Sequence, residues 1–186
     1  MRSHRFPLGG LAALSLLIGC DQSSSPVSPS GASSADIPMA TLAGPRPWKE
    51  SYHSTGTITA AARCPSPLLL ESYQGGGTAT HTGKYDIVNS HCLDPATGAL
   101  TNGTFVKTVA SGDQLFGTYV GSASVIQPPT PVAIFAITGT LTFTGGTGRF
   151  TGATGTTTMS GTEQADFSQT PIATQDALTM VGEISY

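Results

Sequence analysis

The residues with the most to offer chemically in this 186-residue sequence are four histidines, 11 carboxylates and three cysteines. His53, His81 and His91 stand 28 and 10 residues apart, and no paired cysteine motif accompanies them. Zinc sites in compact modules bring their ligands at short, fixed spacings. The spacing therefore predicts no metal site, and no cofactor motif is present.

Two further kinds of catalytic site are not indicated. The sequence contains no G-x-S-x-G turn of the kind that presents a nucleophilic serine. The glycine-rich segment 145–148 is not followed by the Lys-Ser/Thr pair of a phosphate-binding loop. We therefore predict no catalytic residue of these classes.

The carboxylates are expected on the solvated surface. Glycosidase-type chemistry needs a pair of inward carboxylates. Most acids of the folded region instead fall in turns, near strand ends or at the alternate strand positions that are otherwise occupied by polar residues. These acids are Glu50, Glu71, Asp86, Asp94, Asp113, Glu163, Asp166, Asp176 and Glu183.

The N-terminal segment has the pattern of an export signal. Arg2, His4 and Arg5 form a basic region, and residues 8–18 are an apolar run of 11 residues, against about 20 for a membrane-spanning helix. The following Leu-Ile-Gly-Cys, which ends at Cys20, resembles the bacterial lipobox. That resemblance implies that Cys20 receives diacylglycerol and becomes the first residue of the mature protein. An ordinary signal peptide with a chance cysteine is the alternative.

This interpretation divides the chain into three parts. They are a lipoprotein signal peptide at 1–19, the lipidated Cys20 with a flexible Ser/Pro-rich linker at 20–46, and a folded domain at 47–186. The predicted location is the cell envelope, where acyl chains anchor the protein to a membrane and the domain faces the periplasm or the exterior. Asp21 follows the lipidated cysteine, but inner and outer membrane are not distinguished.

The charge balance bears on partners. Loss of Arg2 and Arg5 with the signal lowers the basic residues from 8 to 6 against 11 acidic ones, a net charge of -5. No basic surface is then left to neutralise phosphates, so we expect no nucleic-acid partner. The oligomeric state is not indicated.

The folded region has the two-residue period of β-strands. In residues 133–143, apolar side chains such as Phe135, Ile137 and Leu141 alternate with mostly threonine, and the segment from Leu178 to Tyr186 repeats the pattern. Only 10% of the residues are charged, against about 25% in average domains. Further strands are predicted at about 50–62, 68–74, 78–91, 100–110, 114–125 and 149–161.

Turn chemistry separates these strands and suggests their arrangement. Predicted turns lie at 75–77, 94–98, 111–113 and 145–148, with a proline-rich breaker at 127–131. Short turns join sequential antiparallel neighbours, and about eight such strands can hide their edges by closing on themselves. We therefore predict an all-β fold, an antiparallel up-and-down barrel of about eight strands. A two-sheet sandwich is the alternative.

One histidine is predicted to face the barrel interior. If the strand at 78–91 is regular, Ala79, His81, Tyr85 and Ile87 share the apolar parity. His81 and Tyr85 are therefore the candidate ligand-binding residues, although a hydrogen-bonded core histidine is the alternative for His81. Small residues at inward parity, among them Gly117, Gly121, Ala133, Gly139 and Gly182, predict an apolar interior cavity of a few hundred Å³, the size at which ligand pockets begin.

The two cysteines outside the signal region form an even pair. With Cys20 acylated, Cys64 and Cys92 would remain in an oxidising compartment. In an up-and-down meander the first strand runs towards Cys64 and the third returns to the same rim at Cys92. We predict a Cys64–Cys92 disulfide, with two unrelated thiols as the alternative.

A glycine-rich hairpin carries a family resemblance. Residues 145–155, Gly-Gly-Thr-Gly-Arg-Phe-Thr-Gly-Ala-Thr-Gly, resemble a hairpin of dirigent proteins, which share an eight-stranded barrel with allene oxide cyclases. The wider region, with Thr-His-Thr-Gly-Lys-Tyr at 80–85 and Asp-Pro-Ala-Thr-Gly at 94–98, resembles bacterial secreted or lipidated proteins grouped with that barrel. The resemblance implies the barrel fold and brings no catalytic residue to a matching position.

Three functions are compatible with this reading. The leading one is a lipid-anchored barrel that binds a small lipophilic molecule without turning it over, or that serves a structural role in the envelope. The second is a barrel isomerase or cyclase resembling allene oxide cyclase. The third is an interaction module that uses its exposed β-surface to contact another envelope component.

Overall fold

The computed structural model describes residues 44–186, so the predicted signal peptide, Cys20 and most of the linker lie outside the described residues. The strands are β1 (Arg46–Thr59), β2 (Leu69–Ala79), β3 (Gly83–Leu93), β4 (Ala99–Val109), β5 (Gln114–Gln127), β6 (Val132–Gly146), β7 (Thr154–Asp166) and β8 (Ile172–Ser185). A short 3-10 helix, η1 (Gly148–Phe150), lies between β6 and β7.

The eight strands form a closed antiparallel barrel in sequence order. Each strand pairs with its neighbours along the chain, and β1 closes the barrel by pairing with β8 from Arg46↔Ile184 to Ile58↔Ile172. The predicted up-and-down barrel is confirmed.

The two faces of the strands differ as the period of two requires. On β6, Ile137, Leu141 and Phe143 are buried, whereas Thr138, Thr140 and Thr142 face solvent. Threonine, with its high β-propensity, thus makes an outer surface that is polar but carries few charges.

The barrel interior is packed, and the predicted apolar interior cavity is not found. A void of only about 10 Å³ lies among Tyr52, Phe105, Leu141 and their neighbours. At the inward glycines an added side chain would meet both the neighbouring backbone and large side chains. A Cβ at Gly117 would lie 2.0 Å from the carbonyl oxygen of Thr142 and 2.9 Å from Cζ of Phe105, and one at Gly139 would lie 2.5 Å from the carbonyl oxygen of Val120 and 2.9 Å from Cε of Met159. These small inward residues therefore leave no empty space behind them.

The second and third strands differ from their predicted bounds. Gly75, Gly76 and Gly77, predicted as a turn, lie within β2, and the turn falls at residues 80–82 instead. A Cβ at Gly77 would lie 2.5 Å from Cβ of Tyr52 and 2.6 Å from Oη of Tyr85. Glycine is needed there because the Ser51 carbonyl oxygen, at 2.4 Å, and two inward tyrosines occupy the space, and not because the chain reverses.

The 145–155 hairpin begins with one turn of 3-10 helix, which displaces the strand predicted to start at 149. Gly148 at its start has a φ of 55°, a left-handed conformation that favours glycine. Phe150 then returns to the core and is fully buried against Tyr186, with ring centroids 5.1 Å apart.

The two ends of the barrel are different. The end that carries the β1–β2, β3–β4, β5–β6 and β7–β8 connections is called the mouth here. The other, called the terminal end, carries the start of β1, the end of β8 and η1. The Cys64–Cys92 disulfide lies at the mouth, with its Cα atoms 5.5 Å apart, and ties the β1–β2 connection to β3. The predicted pairing is confirmed.

Candidate functional site

A pocket of about 450 Å³ lies at the mouth of the barrel. Its walls are largely apolar and include Ile58, Leu69, Leu93, Phe135, Phe167 and Ile172. Part of the rim is the β3–β4 turn, residues 94–98, in which Asp94 accepts a hydrogen bond from the Ala96 backbone N–H at 2.9 Å. We call this hollow the mouth pocket.

Two buried carboxyl groups, those of Glu71 and Glu163, line the mouth pocket. The strand register explains how they come together with further polar groups. Glu71 on β2 stands opposite His91 on β3, and Glu163 on β7 stands opposite Asp176 on β8. The three carboxyl groups, with Tyr73 and His91, are called the acid cluster below.

A tyrosine links two of the carboxyl groups. Oη of Tyr73 lies 3.0 Å from Oε2 of Glu71 and 2.6 Å from Oε2 of Glu163. A phenol has one proton to donate, so only one of these contacts can have Tyr73 as its donor. In the other, the carboxyl group supplies the proton. The geometry therefore indicates a protonated carboxylic acid beside Tyr73.

The pKa shifts agree with that reading. Burial, together with the charges of Glu71 and Asp176, raises the pKa of Glu163 from 4.5 to about 9. Burial also raises the pKa of Asp176 from 3.8 to about 7, against the opposing hydrogen bond from the Ser54 hydroxyl at 3.1 Å. At neutral pH Glu163 is then the protonated acid of the cluster, and burial with the nearby carboxylates keeps the pKa of Tyr73 well above its ordinary value.

The imidazole of His91 connects the acid cluster to the far side of the barrel. Its Nε2 contacts Oε2 of Glu71, and its Nδ1 lies 2.9 Å from the hydroxyl of Tyr119. The Asn89 side-chain amide donates to the same hydroxyl at 3.3 Å. A continuous polar chain thus runs from Glu163 through Tyr73, Glu71 and His91 to Tyr119, and such a chain can hold or relay a proton.

A second polar group lies near the terminal end and is sealed from solvent. Lys107 forms an ion pair with Glu50, and both side chains are fully buried. Glu50 also accepts hydrogen bonds from Tyr85 and from the indole N–H of Trp48, the latter at 2.8 Å. The Lys107 ammonium lies 5.0 to 5.7 Å from the centres of four aromatic rings, those of Trp48, Tyr85, Phe105 and Phe143. This group fixes the core and offers no opening to a ligand.

The structure separates the two predicted ligand-binding residues from the mouth pocket. His81 lies in the β2–β3 turn at the terminal end, partly exposed, with Nε2 3.0 Å from the carbonyl oxygen of Pro47. The predicted inward direction of His81 is wrong because the chain turns at 80–82. Tyr85 does point inward, but its hydroxyl is used by Glu50. Ligand contact by these two residues stays a prediction, without the interior cavity that it assumed.

The expectation of surface carboxylates is wrong for Glu50, Glu71, Glu163 and Asp176, all of which are buried. The alternation along the strands did indicate their burial: Glu50 is two residues from Trp48 and Asp176 two residues from Leu178, so each acid lies on the same inward face as that apolar residue. An inward acid seemed unfavourable by itself because a lone buried charge is costly. Only the cross-strand register reveals the partners that make burial possible.

Comparisons with protein families, curated proteins and solved structures found no match, so the site is interpreted from its own residues. Within residues 44–186, no group of three or more His, Cys, Asp or Glu side chains is arranged to hold a metal ion. The same part of the chain contains no helix long and apolar enough to cross a membrane.

Proposed function

We propose that this protein is a lipid-anchored barrel of the cell envelope that binds a small lipophilic molecule reversibly in the mouth pocket. The observation that carries the proposal is the pocket itself, about 450 Å³ in volume and walled mostly by aliphatic and aromatic side chains. Pockets of this size and character bind small organic ligands in other proteins. The lipobox-like sequence at Cys20 supports the anchor.

The proposal keeps the binding function expected from the sequence but moves its site. The packed interior holds a void of only about 10 Å³, whereas the mouth pocket is open to solvent and largely apolar. The barrel acts as a rigid frame, and the turns at the mouth supply the walls. A ligand could thus enter without any rearrangement of the strands.

Blocking the mouth tests the proposal. Ala96 is exposed in the rim turn, and Ala110 is exposed in the β4–β5 turn at the terminal end. The chain from Asp21 onwards is titrated with N-phenyl-1-naphthylamine, a neutral dye that fluoresces in apolar surroundings. We expect saturable binding that Ala96→Trp weakens about tenfold or more, a cost of at least about 1.4 kcal/mol, and that Ala110→Trp leaves unchanged. No saturable binding, or equal binding by both variants, would overturn it.

Proton-transfer catalysis is the second candidate, of the kind that an isomerase or cyclase performs. It is favoured by one observation: a carboxylic acid with a pKa of about 9 lines an apolar pocket and touches Tyr73. General acids in enzymes are tuned in this way. Catalysed exchange of the α-hydrogens of an apolar ketone into D₂O, lost in Glu163→Gln, would favour this candidate. An exchange rate equal to that of buffer would remove it for such substrates.

A further inference from the structure

The acid cluster has more acceptors than donors. Oε1 of Glu71 is buried and has no hydrogen-bond partner among the described residues, whereas Asp176 is hydrogen-bonded to Ser54 and to Glu163. Glu71 is only 1% exposed, yet it lines the mouth pocket. A buried acceptor without a donor is costly, so a ligand that donates hydrogen bonds at this point would remove a deficit.

The acid cluster is also short of positive charge. The titratable groups that face Glu163 and its neighbours are Tyr52 on β1, Glu71 and Tyr73 on β2, His91 on β3, Tyr119 on β5 and Asp176 on β8. Three carboxyl groups therefore have one imidazole as their only basic neighbour in this set. Lys107 is committed to Glu50, and exposed Arg63 is bound to Ser90, Asn102 and Thr104.

These observations define the ligand more narrowly. We infer that the mouth pocket takes a lipophilic primary amine, with its ammonium group against Glu71 and Glu163 and its apolar body against the pocket walls. An ammonium brings three N–H donors and one positive charge, which are the two things that the acid cluster lacks. This inference rests on the proposed binding function.

Binding of an ammonium would move a proton. In the free protein Glu163 holds its proton because burial and neighbouring carboxylates disfavour a further negative charge. A cation beside it reverses that preference. Glu163 then releases its proton to solvent, and the ammonium keeps all three of its own.

Three probes of one shape separate the chemical classes. 1-Aminoadamantane, 1-adamantanol and adamantane-1-carboxylate have the same rigid apolar body and differ in the polar group. The chain from Asp21 onwards is titrated with each by calorimetry at pH 8, in two buffers with different ionisation enthalpies. We expect the amine to bind about tenfold tighter than the alcohol or better, the carboxylate to bind more weakly than the alcohol, and up to about one proton to be released per amine bound.

Two matched variants locate the effect. Glu163→Gln keeps the shape of the protonated acid, so the fold is retained, whereas the amine preference falls because only Glu71 remains to meet the ammonium, and the proton release is lost. Glu183→Gln removes an exposed charge from the outer face of β8 and should change neither. Far-ultraviolet circular dichroism and thermal unfolding confirm that both variants are folded.

The possible results separate a failure of the amine inference from a failure of the proposed binding function. If the alcohol or the carboxylate binds as tightly as the amine, or if Glu163→Gln changes neither the amine preference nor the proton release, the inference is wrong and the binding function stands. If none of the three probes binds and the dye does not bind either, the proposed function itself fails.

Discussion

Oη of Tyr73 lies 2.6 Å from Oε2 of Glu163, a carboxyl group carried by a strand 90 residues further along the chain. The contact crosses the inside of the barrel from β2 to β7, which are not neighbours in the sheet. Two strands are thus connected through their side chains alone. Because the pKa of Glu163 is raised and one of the two carboxyl contacts of Tyr73 needs a protonated acid, the contact depends on pH.

The free energy of unfolding should fall as the pH rises through neutrality. The pKa values of Glu163 and Asp176 are raised from 4.5 to about 9 and from 3.8 to about 7, so the folded protein holds protons that the unfolded chain has released. Each group lowers stability by at most about 1.4 kcal/mol per pH unit between its unfolded and folded pKa. Urea unfolding at pH 5 to 8 measures this slope.

Glu163→Gln should flatten that slope and stabilise the protein at pH 8, because the amide replaces an acid that the fold keeps neutral. Glu183→Gln, on the outer face of β8, is the control and should keep the parent slope. A Glu163→Gln variant with an unchanged pH dependence would show that Glu163 is already ionised in the folded state.

Lys107→Met should destabilise the barrel by about 3–5 kcal/mol, since it leaves Glu50 buried without its counter-charge. Burial already lowers the pKa of Lys107, although Glu50 opposes the shift. The double variant Glu50→Gln/Lys107→Met should recover most of the loss because both charges are then gone. Chemical denaturation of the two single variants and the double variant gives the coupling energy, and a double variant as unstable as Lys107→Met would contradict the prediction.

Replacing both cysteines of the disulfide by serine should lower the free energy of unfolding. The bond closes a loop with a sequence separation of 28, for which loop entropy gives about 3 to 4 kcal/mol. Denaturation of Cys64→Ser/Cys92→Ser beside the oxidised parent tests the value. Equal stability would mean that the hydrogen bonds of Arg63 to the β4 backbone and side chains hold the β1–β2 connection without the disulfide.

The proposed lipidation of Cys20 predicts a response to globomycin, which blocks the lipoprotein signal peptidase. Cells expressing the full chain should accumulate an unprocessed precursor, detected as a larger band on immunoblots. Cys20→Ser should not be processed in the same way and should not be membrane-bound through an acyl chain. Normal processing of Cys20→Ser with unchanged membrane association would exclude the anchor.

The barrel could be predicted from the sequence because strands and turns are specified by short stretches of neighbouring residues. Alternation in segments such as 133–143 and turn residues such as Asp94 and Gly98 are independent of what lies across the barrel. The placement of His81 failed because three glycines suggested a turn, whereas Gly77 lies within a strand and is crowded by the backbone of β1 and by Tyr52 and Tyr85. That reason involves a residue on another strand.

The acid cluster could not be predicted for a related reason. Glu163 and Asp176 are 13 residues apart in sequence but stand directly opposite in the register, and Tyr73 reaches Glu163 from across the interior. Parity alone places such acids inward, and the usual cost of burying a charge argues for the surface. Only the assembled barrel shows that one carboxyl group can stay neutral and so avoid that cost.

The pairing of β1 with β8 brings the two ends of the barrel domain together, so they can be joined and the chain cut elsewhere. Arg46 stands opposite Ile184, so the first and last strands begin and end side by side. A short linker could join Ser185 to Arg46, and new termini could be opened in the exposed turn at Ser111 and Gly112. All eight strand pairs would be kept, and only the chain connection between β4 and β5 would be lost. The domain is therefore a candidate for circular permutation, in which the chain would begin at β5 and end at β4 while each strand keeps its two neighbours in the barrel.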